Sequence, residues 1–258
     1  MALIGMAVYS TPENKKDDCL FKTLVSLKKT VDFSKHSLML SVNALTETTQ
    51  TILDSFNDII SEVIFNPTNI GTAEAINKVW AKRKPNQHCL KMDDDVVIYN
   101  DGWLDLLEEC ISRDNKIGII GLKRKDCWEK PQHDNPDYKS ELIMLPQTAG
   151  EKWLVVENAK HIIGTCQLYN FALLDKIGYL YQPSLYGYDD VLASWRSQIA
   201  GFKNVFLPQI EIDHIDDGQT PYQDWKHRHS GEQTQTVINL VNDYLNGIKP
   251  IYYKPNEM

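Results

Sequence analysis

The sequence predicts an α/β fold with a mainly parallel sheet and flanking helices. Apolar runs of strand length alternate with segments of helical periodicity through the first half of the chain. The first run, residues 2–9, is almost continuously apolar, as expected for a parallel strand buried on both faces. Polar residues follow several of these runs, where the strands of such a sheet would end.

The pattern predicts the elements of the first half in a strict β-α-β-α order, which favours an α/β fold with a mainly parallel sheet. The strand with the aspartates 93–95 at its end is the fourth in this order. Asn100 or Asp101 is the predicted cap of the helix that follows it. The predicted strands are 2–9, 38–42, 63–66, the run from 88 and 117–122, and the predicted helices are 19–31, 51–60, 71–82 and 103–111.

The second half is predicted to be less regular. Residues 123–152 lose periodicity and are rich in charges and prolines, which predicts a long surface excursion. Strands are predicted at 153–156, 162–169 and 205–212, the last broken by Pro208, with a helix that ends before Gly201. A helix at 234–245 belongs to a C-terminal extension. We therefore expect a domain at 1–219 and an extension at 220–258 packed on it.

Composition limits the classes of function. The chain has 258 residues, and its formal net charge of -8 argues against a general nucleic-acid binder. An odd number of cysteines without CxxC spacing predicts reduced thiols, neither a disulfide framework nor a zinc site. No signal-peptide pattern or membrane-length apolar run is present, so we expect a soluble, cytoplasmic protein without a transmembrane segment.

Three consecutive aspartates are the most informative feature. Side chains alternate along a strand, so Asp93 and Asp95 point to one face and Asp94 to the other. Two carboxylates that project together repel each other unless a cation lies between them. A hard divalent cation, which can in turn hold a diphosphate, is one interpretation. A strand that simply ends in an acidic turn is the other.

A second acidic pair follows the bend Tyr186-Gly187-Tyr188. Asp189 and Asp190 begin a predicted helix, where the helix dipole favours ionised carboxylates. Simple helix capping and a functional role carry about equal weight here. The aromatic and basic segment from Trp225 to His229 has three readings, namely a lid over a ligand, an acceptor surface or an ordinary docked tail.

Together these motifs resemble the GT-A glycosyltransferases, in particular their family 2-like and galactosyltransferase-like branches. The resemblance runs from Ala2 to about Asp217, over most of the chain. The matching pieces, in order, are Tyr9-Ser10-Thr11, Asn69-Ile70-Gly71-Thr72-Ala73 with Asn77, Lys91-Met92-Asp93-Asp94-Asp95, and Tyr186 to Asp190 followed by Arg196, Gly201 and His214.

The resemblance implies transfer of a hexose or pentose from a nucleoside-diphosphate sugar, with a UDP-sugar favoured, to a hydroxyl acceptor and with inversion. It implies Asp190 as catalytic base, Asp189 as the residue that orients the acceptor, and Mn²⁺ or Mg²⁺ as the ion. The implied metal ligands are Asp93, Asp95 and His214. The implied donor-binding residues are Tyr9, Thr11, Asn43, Gly71, Asn77, Asp93 and Asp94.

Several points stay open at the level of sequence. The second strand ends in Asn43 where the family usually has an acidic residue, which leaves the donor base undefined. The pair Asp189-Asp190 replaces the commoner Glu-Asp, so the base is uncertain by one position. The acceptor is a glycan, a protein or a modified nucleic-acid base, and a homo-oligomer is open. A metal-dependent phosphohydrolase or nuclease and a non-catalytic nucleotide-sugar-binding module are the alternative functions.

Overall fold

The computed structural model describes residues 1–128, 141–147, 150, 152–216 and 221–255, with the backbone alone at 127, 128, 221 and 222. Ten strands of this part of the chain form one sheet. The strands are β1 (Ala2–Val8), β2 (Ser37–Val42), β3 (Ile60–Phe65), β4 (His88–Met92), β5 (Val96–Val97), β6 (Ile117–Arg124), β7 (Glu141–Met144), β8 (Val155–Asn158), β9 (Cys166–Tyr169) and β10 (Lys203–His214).

The order along the sheet is β3-β2-β1-β4-β9-β6-β10-β8-β7, and β5 pairs with β10. The first four strands of this order are parallel, with Leu3 opposite Ser37 and Cys89 opposite Leu3 on the other side. β9 enters antiparallel between β4 and β6. The predicted α/β fold with flanking helices is confirmed, and the antiparallel strands on the β6 side are an addition to it.

Eight helices lie in the described part of the chain. In the first helix, Leu20, Leu24 and Leu27 are fully buried, as their spacing on one face predicts. The helices are α1 (Asp17–Thr30), α2 (Glu47–Ser55), α3 (Thr72–Trp80), α4 (Trp103–Arg113), α5 (Lys125–Trp128), α6 (Phe171–Ile177), α7 (Asp189–Ile199) and α8 (Pro221–Leu245).

Two helix starts differ from the sequence-based expectation. α2 was expected at 51–60 but begins at Glu47, because the Thr46 hydroxyl caps it by accepting a hydrogen bond from the Thr49 N–H at 3.0 Å. The predicted caps Asn100 and Asp101 are wrong for α4. Gly102, with a φ of 70°, precedes this helix and provides no side-chain cap.

Two C-terminal elements are longer than predicted. Pro208 does not break β10, which runs from Lys203 to His214 with a register shift against β6 between Leu207 and Glu211. A proline has no N–H for the ladder, and the irregularity accommodates it. α8 was expected at 234–245 but begins at Pro221, so the aromatic and basic segment is helical.

The long excursion contains regular structure at both ends. β6 extends to Arg124, α5 follows it, and β7 pairs antiparallel with β8. The middle of the predicted excursion, 129–140, and the predicted domain boundary at 219 and 220 lie outside the described residues. The described extension packs on α7 through an apolar cluster of Leu192, Val237, Leu240, Val241 and Tyr244.

Cys19, Cys89, Cys110 and Cys166 are free thiols, as expected from their scattered positions. Among the described residues, every helix is too short or too polar to traverse a lipid bilayer.

Arg196 on α7 fastens the C-terminal tail to the domain. Its guanidinium is fully buried and donates hydrogen bonds to the backbone oxygens of Ile251, at 2.6 Å, and Tyr179, at 2.9 Å, and also to that of Ile177. Burial lowers the pKa of Arg196 to about 10. Arg196, which belongs to the sequence motif near the acidic pair, therefore has a structural role.

We expect Arg196→Lys to lower the free energy of unfolding by roughly 2 kcal/mol, because a lysine cannot satisfy three carbonyl oxygens with the fork geometry of arginine. Arg83→Lys, at an ion pair with the exposed Asp175, is the control and is expected to change it by less than about 0.5 kcal/mol. Urea denaturation measures both. Equal effects of the two variants would contradict the assignment.

Candidate active site

One cleft of ≈ 470 Å³ lies where the end of β4 faces the start of α7. Asp93, Asp94 and Asp95 line one side, and Asp189 and Asp190 line the other. The two acidic motifs, almost a hundred residues apart in sequence, therefore meet at the carboxyl ends of parallel strands. Tyr9, Asn43 and His214 line the same cleft.

Three predicted donor-binding residues, all in the described part of the chain, do not line it. The amide of Asn77 is hydrogen-bonded to both backbone groups of Leu180, at 2.8 and 2.9 Å. Thr11 forms a turn with Asn14. Gly71 has a φ of 84°, and a Cβ there would lie 3.0 Å from the Leu185 backbone, so this glycine allows close chain packing. The predicted donor contacts of these three residues have no support in this geometry.

The buried side chain of Lys91 joins the two acidic motifs. Its ammonium lies 2.9 Å from Asp189 Oδ2 and 3.6 Å from Asp93 Oδ1. Burial alone would lower its pKa, but the carboxylates of Asp189 and Asp93 outweigh this and hold the pKa well above its usual value. Lys91 thus stays charged and offsets two carboxylates that would otherwise repel each other across the cleft.

Gly164, in the segment before β9, connects Lys91 to Asp190. Its carbonyl accepts a hydrogen bond from Lys91 Nζ at 2.9 Å, and its N–H donates to Asp190 Oδ2 at 2.9 Å. A Cβ at this position would lie 2.6 Å from Lys91 Nζ and 3.3 Å from Asp190. A larger residue here would displace the Lys91 ammonium, so glycine preserves the contacts of the backbone with both side chains.

Asp190 is held in an ionised form. Its Oδ2 lies 3.2 Å from His161 Nε2, and its Oδ1 accepts a hydrogen bond from the Val191 N–H at 2.7 Å. Burial raises the pKa of Asp190, but the His161 imidazole and Lys91 outweigh this and lower it below its ordinary value. The side chain of Asp190 is 18% exposed, against 8% for Asp189, so Asp190 is the more accessible of the pair.

Asp95 and His214 form the second centre of the cleft. His214 Nε2 lies 3.4 Å from Asp95 Oδ1, and this buried oxygen accepts no hydrogen bond from the described residues. Burial lowers the pKa of His214 despite the nearby Asp95, which favours the neutral imidazole. An unpaired carboxylate oxygen beside a neutral imidazole offers two donor atoms suited to a divalent cation.

The other oxygen of Asp95 faces a lysine. Lys16 Nζ lies 3.4 Å from Asp95 Oδ2 and also contacts Asp216 Oδ2, and Lys226 Nζ lies 3.3 Å from Asp216. Burial lowers the pKa of Lys16, but Asp95 and Asp216 outweigh this and raise it. A charged ammonium thus lies between two buried carboxylates.

The predicted ligands Asp93, Asp95 and His214 do not bring three ligand atoms within 4.8 Å of one another. Asp93 is turned towards Lys91 instead. Among the described residues, a group that meets this distance is His36, Asp105 and Glu108. There His36 Nδ1 accepts a hydrogen bond from the Ala2 N–H at 3.1 Å, so its other nitrogen carries the proton in the neutral ring.

The first half of α8 borders the cleft. Gln223, Lys226 and His227 line it, and Lys226 Nζ lies 5.3 Å from the ring centroid of Tyr186. The Trp225 ring lies 6.2 Å from that of Tyr186. The aromatic and basic segment is therefore part of the wall of the cleft and packs against the bend before α7.

Several residues of the site were not identified as such from sequence, among them Lys16, Lys91, His161 and Asp216. Lys91 is two residues from Asp93, so strand alternation places both side chains on one face. This spacing was the sequence signal for the pairing of Lys91 with Asp93. Lys16 and His161 lie on irregular segments far from the acids in sequence, and no periodicity indicates their partners. Asp216 follows His214 by two residues, but its ion pair with Lys16 forms only through tertiary packing.

The raised pKa values of the carboxyl groups at the end of β4 make the stability of the fold depend on pH. Burial and the neighbouring Asp95 raise the pKa of Asp94 from 3.8 to about 8, and burial raises that of Asp93 to about 6. The folded state then binds protons more tightly than the unfolded state, so stability falls as pH rises from about 4 to about 8.

Asp94→Asn removes one of these charges, and we expect it to raise the free energy of unfolding at pH 8 by about 1 kcal/mol or more, with little effect at pH 4. Asp101→Asn, at an exposed position, is the control and is expected to match the wild type at both pH values. Urea denaturation at several pH values in the presence of EDTA measures the effect. A destabilisation by Asp94→Asn that grows with pH would contradict the sign.

Solved structures similar to this chain are glycosyltransferases. S. aureus TarS 1-349 in complex with UDP-GlcNAc has 16% identity and a TM-score of 0.60 over 87% of this chain. The mannosyltransferase PcManGT from Pyrobaculum calidifontis, in complex with GDP-Man and Mn²⁺, has 12% identity and a TM-score of 0.62 over 86%. GalNAc-T7 with UDP, GalNAc and Mn²⁺ has 14% identity and a TM-score of 0.60 over 83%.

This chain spans 63%, 59% and 43% of those three chains, which is less than two thirds of each. No family model matches the sequence, and no curated protein matches it. The agreement therefore concerns the fold: the chain has the GT-A fold of glycosyltransferases, as its motifs predict.

Proposed function

We propose that this protein is a metal-dependent glycosyltransferase that moves a sugar from a nucleoside-diphosphate sugar to a hydroxyl acceptor. The observation that carries the proposal is the cleft in which the carboxylates at the end of β4 face those at the start of α7. Its volume is in the range of pockets that bind molecules of this size. The GT-A fold agrees with this reading.

The cleft carries the charges that a nucleoside diphosphate requires. Lys16, Lys91, Arg124 and Lys226 line it together with the acids. Cationic side chains bind phosphate oxygens through charge-assisted hydrogen bonds. Tyr9 and Asn43, at the ends of β1 and β2, are the predicted donor-binding residues that line the same space. The similar structures with UDP, UDP-GlcNAc and GDP-Man support a nucleotide sugar as the donor.

Asp95 and His214 are the residues that we expect to hold the divalent cation. The free Oδ1 of Asp95 and the neutral imidazole beside it fit Mn²⁺ or Mg²⁺, and the nitrogen ligand favours Mn²⁺. A bound cation would neutralise the negative charge that develops on the leaving diphosphate. Asp93, turned towards Lys91, and Asp94 are then expected to act on the ribose or on water bound near it.

Asp190 is the proposed base. The acceptor oxygen forms a bond to the anomeric carbon, the bond from that carbon to the diphosphate breaks, and the electron pair leaves with the diphosphate. The acceptor proton passes to the Asp190 carboxylate. A carboxylate of low pKa takes the proton late, as the new bond forms, and positioning of the hydroxyl supplies much of the remaining barrier reduction.

Asp189 suits a positioning role better than that of the base. Its Oδ2 is tied to the buried ammonium of Lys91, whereas Asp190 is more exposed to the cleft. Lys91 fixes Asp189 in place while His161 and Gly164 fix Asp190. An attack from the side opposite the leaving group implies inversion of configuration at the anomeric carbon.

A UDP-sugar is the favoured donor, and its sugar, hexose or pentose, is to be identified by a screen. Nucleotide sugars that bind the folded protein raise its melting temperature, so a thermal-shift panel with and without Mn²⁺ tests the donor directly. We expect one nucleotide sugar to give a clear shift that requires the metal. Equal melting temperatures across the whole panel would contradict the proposal.

For the identified donor, we expect Asp190→Asn to lower the transfer rate by about 10²–10⁴-fold, because a general base contributes this much. Donor affinity is expected to stay within about threefold, since the amide keeps the shape of the side chain. Asp175→Asn, at an exposed position on α6, is the matched control and should retain the wild-type rate. Transfer by Asp190→Asn within tenfold of wild type would contradict the role, and a product that retains the anomeric configuration would contradict inversion.

A further inference from the structure

Lys16 is a buried cation with two carboxylate partners. Its side chain is 5% exposed, and its ammonium contacts both Asp95 and Asp216, whose side chains are 6% and 2% exposed. It directly precedes α1, at the N-cap position, and its long stem reaches into the cleft. Water therefore contributes little to solvating this charge, and the two carboxylates are its main stabilising partners.

The same carboxylate, Asp95, faces the candidate cation site with its other oxygen. Its Oδ1 is free and lies beside His214 Nε2, while its Oδ2 faces Lys16. A cation held by Oδ1 and the imidazole would share this carboxylate with the ammonium. Two cations on one buried carboxylate repel each other, and the repulsion is strong where water is excluded.

The site is also short of donors while Lys16 stays in place. Asp95 and His214 provide two donor atoms, and no third residue of the described chain completes a group within 4.8 Å here. Asp216 is a further carboxylate in this network, and Lys16, Lys226 and Gln223 contact it. Departure of the Lys16 ammonium would release Asp95 Oδ2, whereas Asp216 would keep its contacts with Lys226 and Gln223.

We propose that Lys16 is a resident counter-cation of the Asp95–Asp216 pair that opposes divalent metal binding until a diphosphate arrives. Once the nucleotide enters, its phosphate oxygens give the ammonium a new anionic partner, and both oxygens of Asp95 become available to the metal. The transfer of the Lys16 ammonium to the diphosphate rests on the proposed function. The opposition between Lys16 and the metal does not.

The consequence is a coupling between the two ligands. The metal alone binds weakly, because it must displace or tolerate a buried ammonium. The diphosphate strengthens metal binding, and by linkage the metal strengthens nucleotide binding by the same factor. Lys16 would thus prevent the empty site from collecting divalent cations and would load the metal together with the donor.

The experiment measures Mn²⁺ affinity by electron paramagnetic resonance of the free ion, with and without UDP. We expect Lys16→Met to bind Mn²⁺ at least about tenfold more tightly than wild type without nucleotide, a change of about 1.4 kcal/mol. The increase in affinity caused by UDP should be smaller in this variant than in wild type. Lys22→Met, which removes an exposed lysine of α1, is the matched control and should behave as wild type.

Lys16→Gln provides a second neutral side chain with polar character, and circular dichroism establishes which variants are folded. Mn²⁺ affinity of the folded Lys16 variants within twofold of wild type would overturn the proposal. Tighter Mn²⁺ binding by these variants, in a protein that binds neither UDP nor any nucleotide sugar, would support the role of Lys16 and contradict the proposed function. The two failures are therefore distinguishable.

Discussion

The repulsion among the carboxylates clustered at one end of the sheet is the constraint on which the site depends. Asp93, Asp94 and Asp95 end β4, and Asp189 and Asp190 approach them from α7. The Lys91 ammonium compensates the charges of Asp93 and Asp189, and the Lys16 ammonium compensates that of Asp95. Removing one partner of a buried ion pair leaves an uncompensated charge, at a cost of about 3–5 kcal/mol, so these lysines hold the acids in place as well as stabilising the fold.

The fold provides the positions at which this compensation is possible. Parallel strands β1, β2 and β4 bring their carboxyl ends to one edge, whereas antiparallel β9 lies beside β4 and places Gly164 against Lys91 and Asp190. The long strand β10 continues past its irregularity and carries His214 to Asp95 through the short pairing with β5. Strand pairing therefore fixes the β4 and β10 sides of the cleft, and hydrogen bonds and ion pairs hold the start of α7 against them.

The local patterns were sufficient for the fold and for the acidic motifs, but not for their partners. A single sequence carries periodicity and short motifs, and these were enough to identify the apolar run of β1, the leucines on one face of α1, and the acids 93–95 and 189–190. The roles of Lys16 and His161 depend on contacts between segments far apart in sequence, which periodicity does not encode. The donor contacts expected of Thr11, Gly71 and Asn77 rested on motif position alone. In the structure Thr11 forms a turn, Gly71 allows close packing of the chain, and Asn77 binds the backbone of Leu180.

The central claim is that Asp95 and His214 hold a cation that faces a diphosphate across the cleft from Asp190. Crystals grown with Mn²⁺ and UDP, with diffraction data collected at the manganese absorption edge, test it most directly. The account predicts one strong anomalous peak within about 2.0–2.5 Å of an Asp95 oxygen and His214 Nε2, with the diphosphate bound to it. A manganese peak at His36, Asp105 and Glu108 instead, with UDP bound outside the cleft, would contradict it.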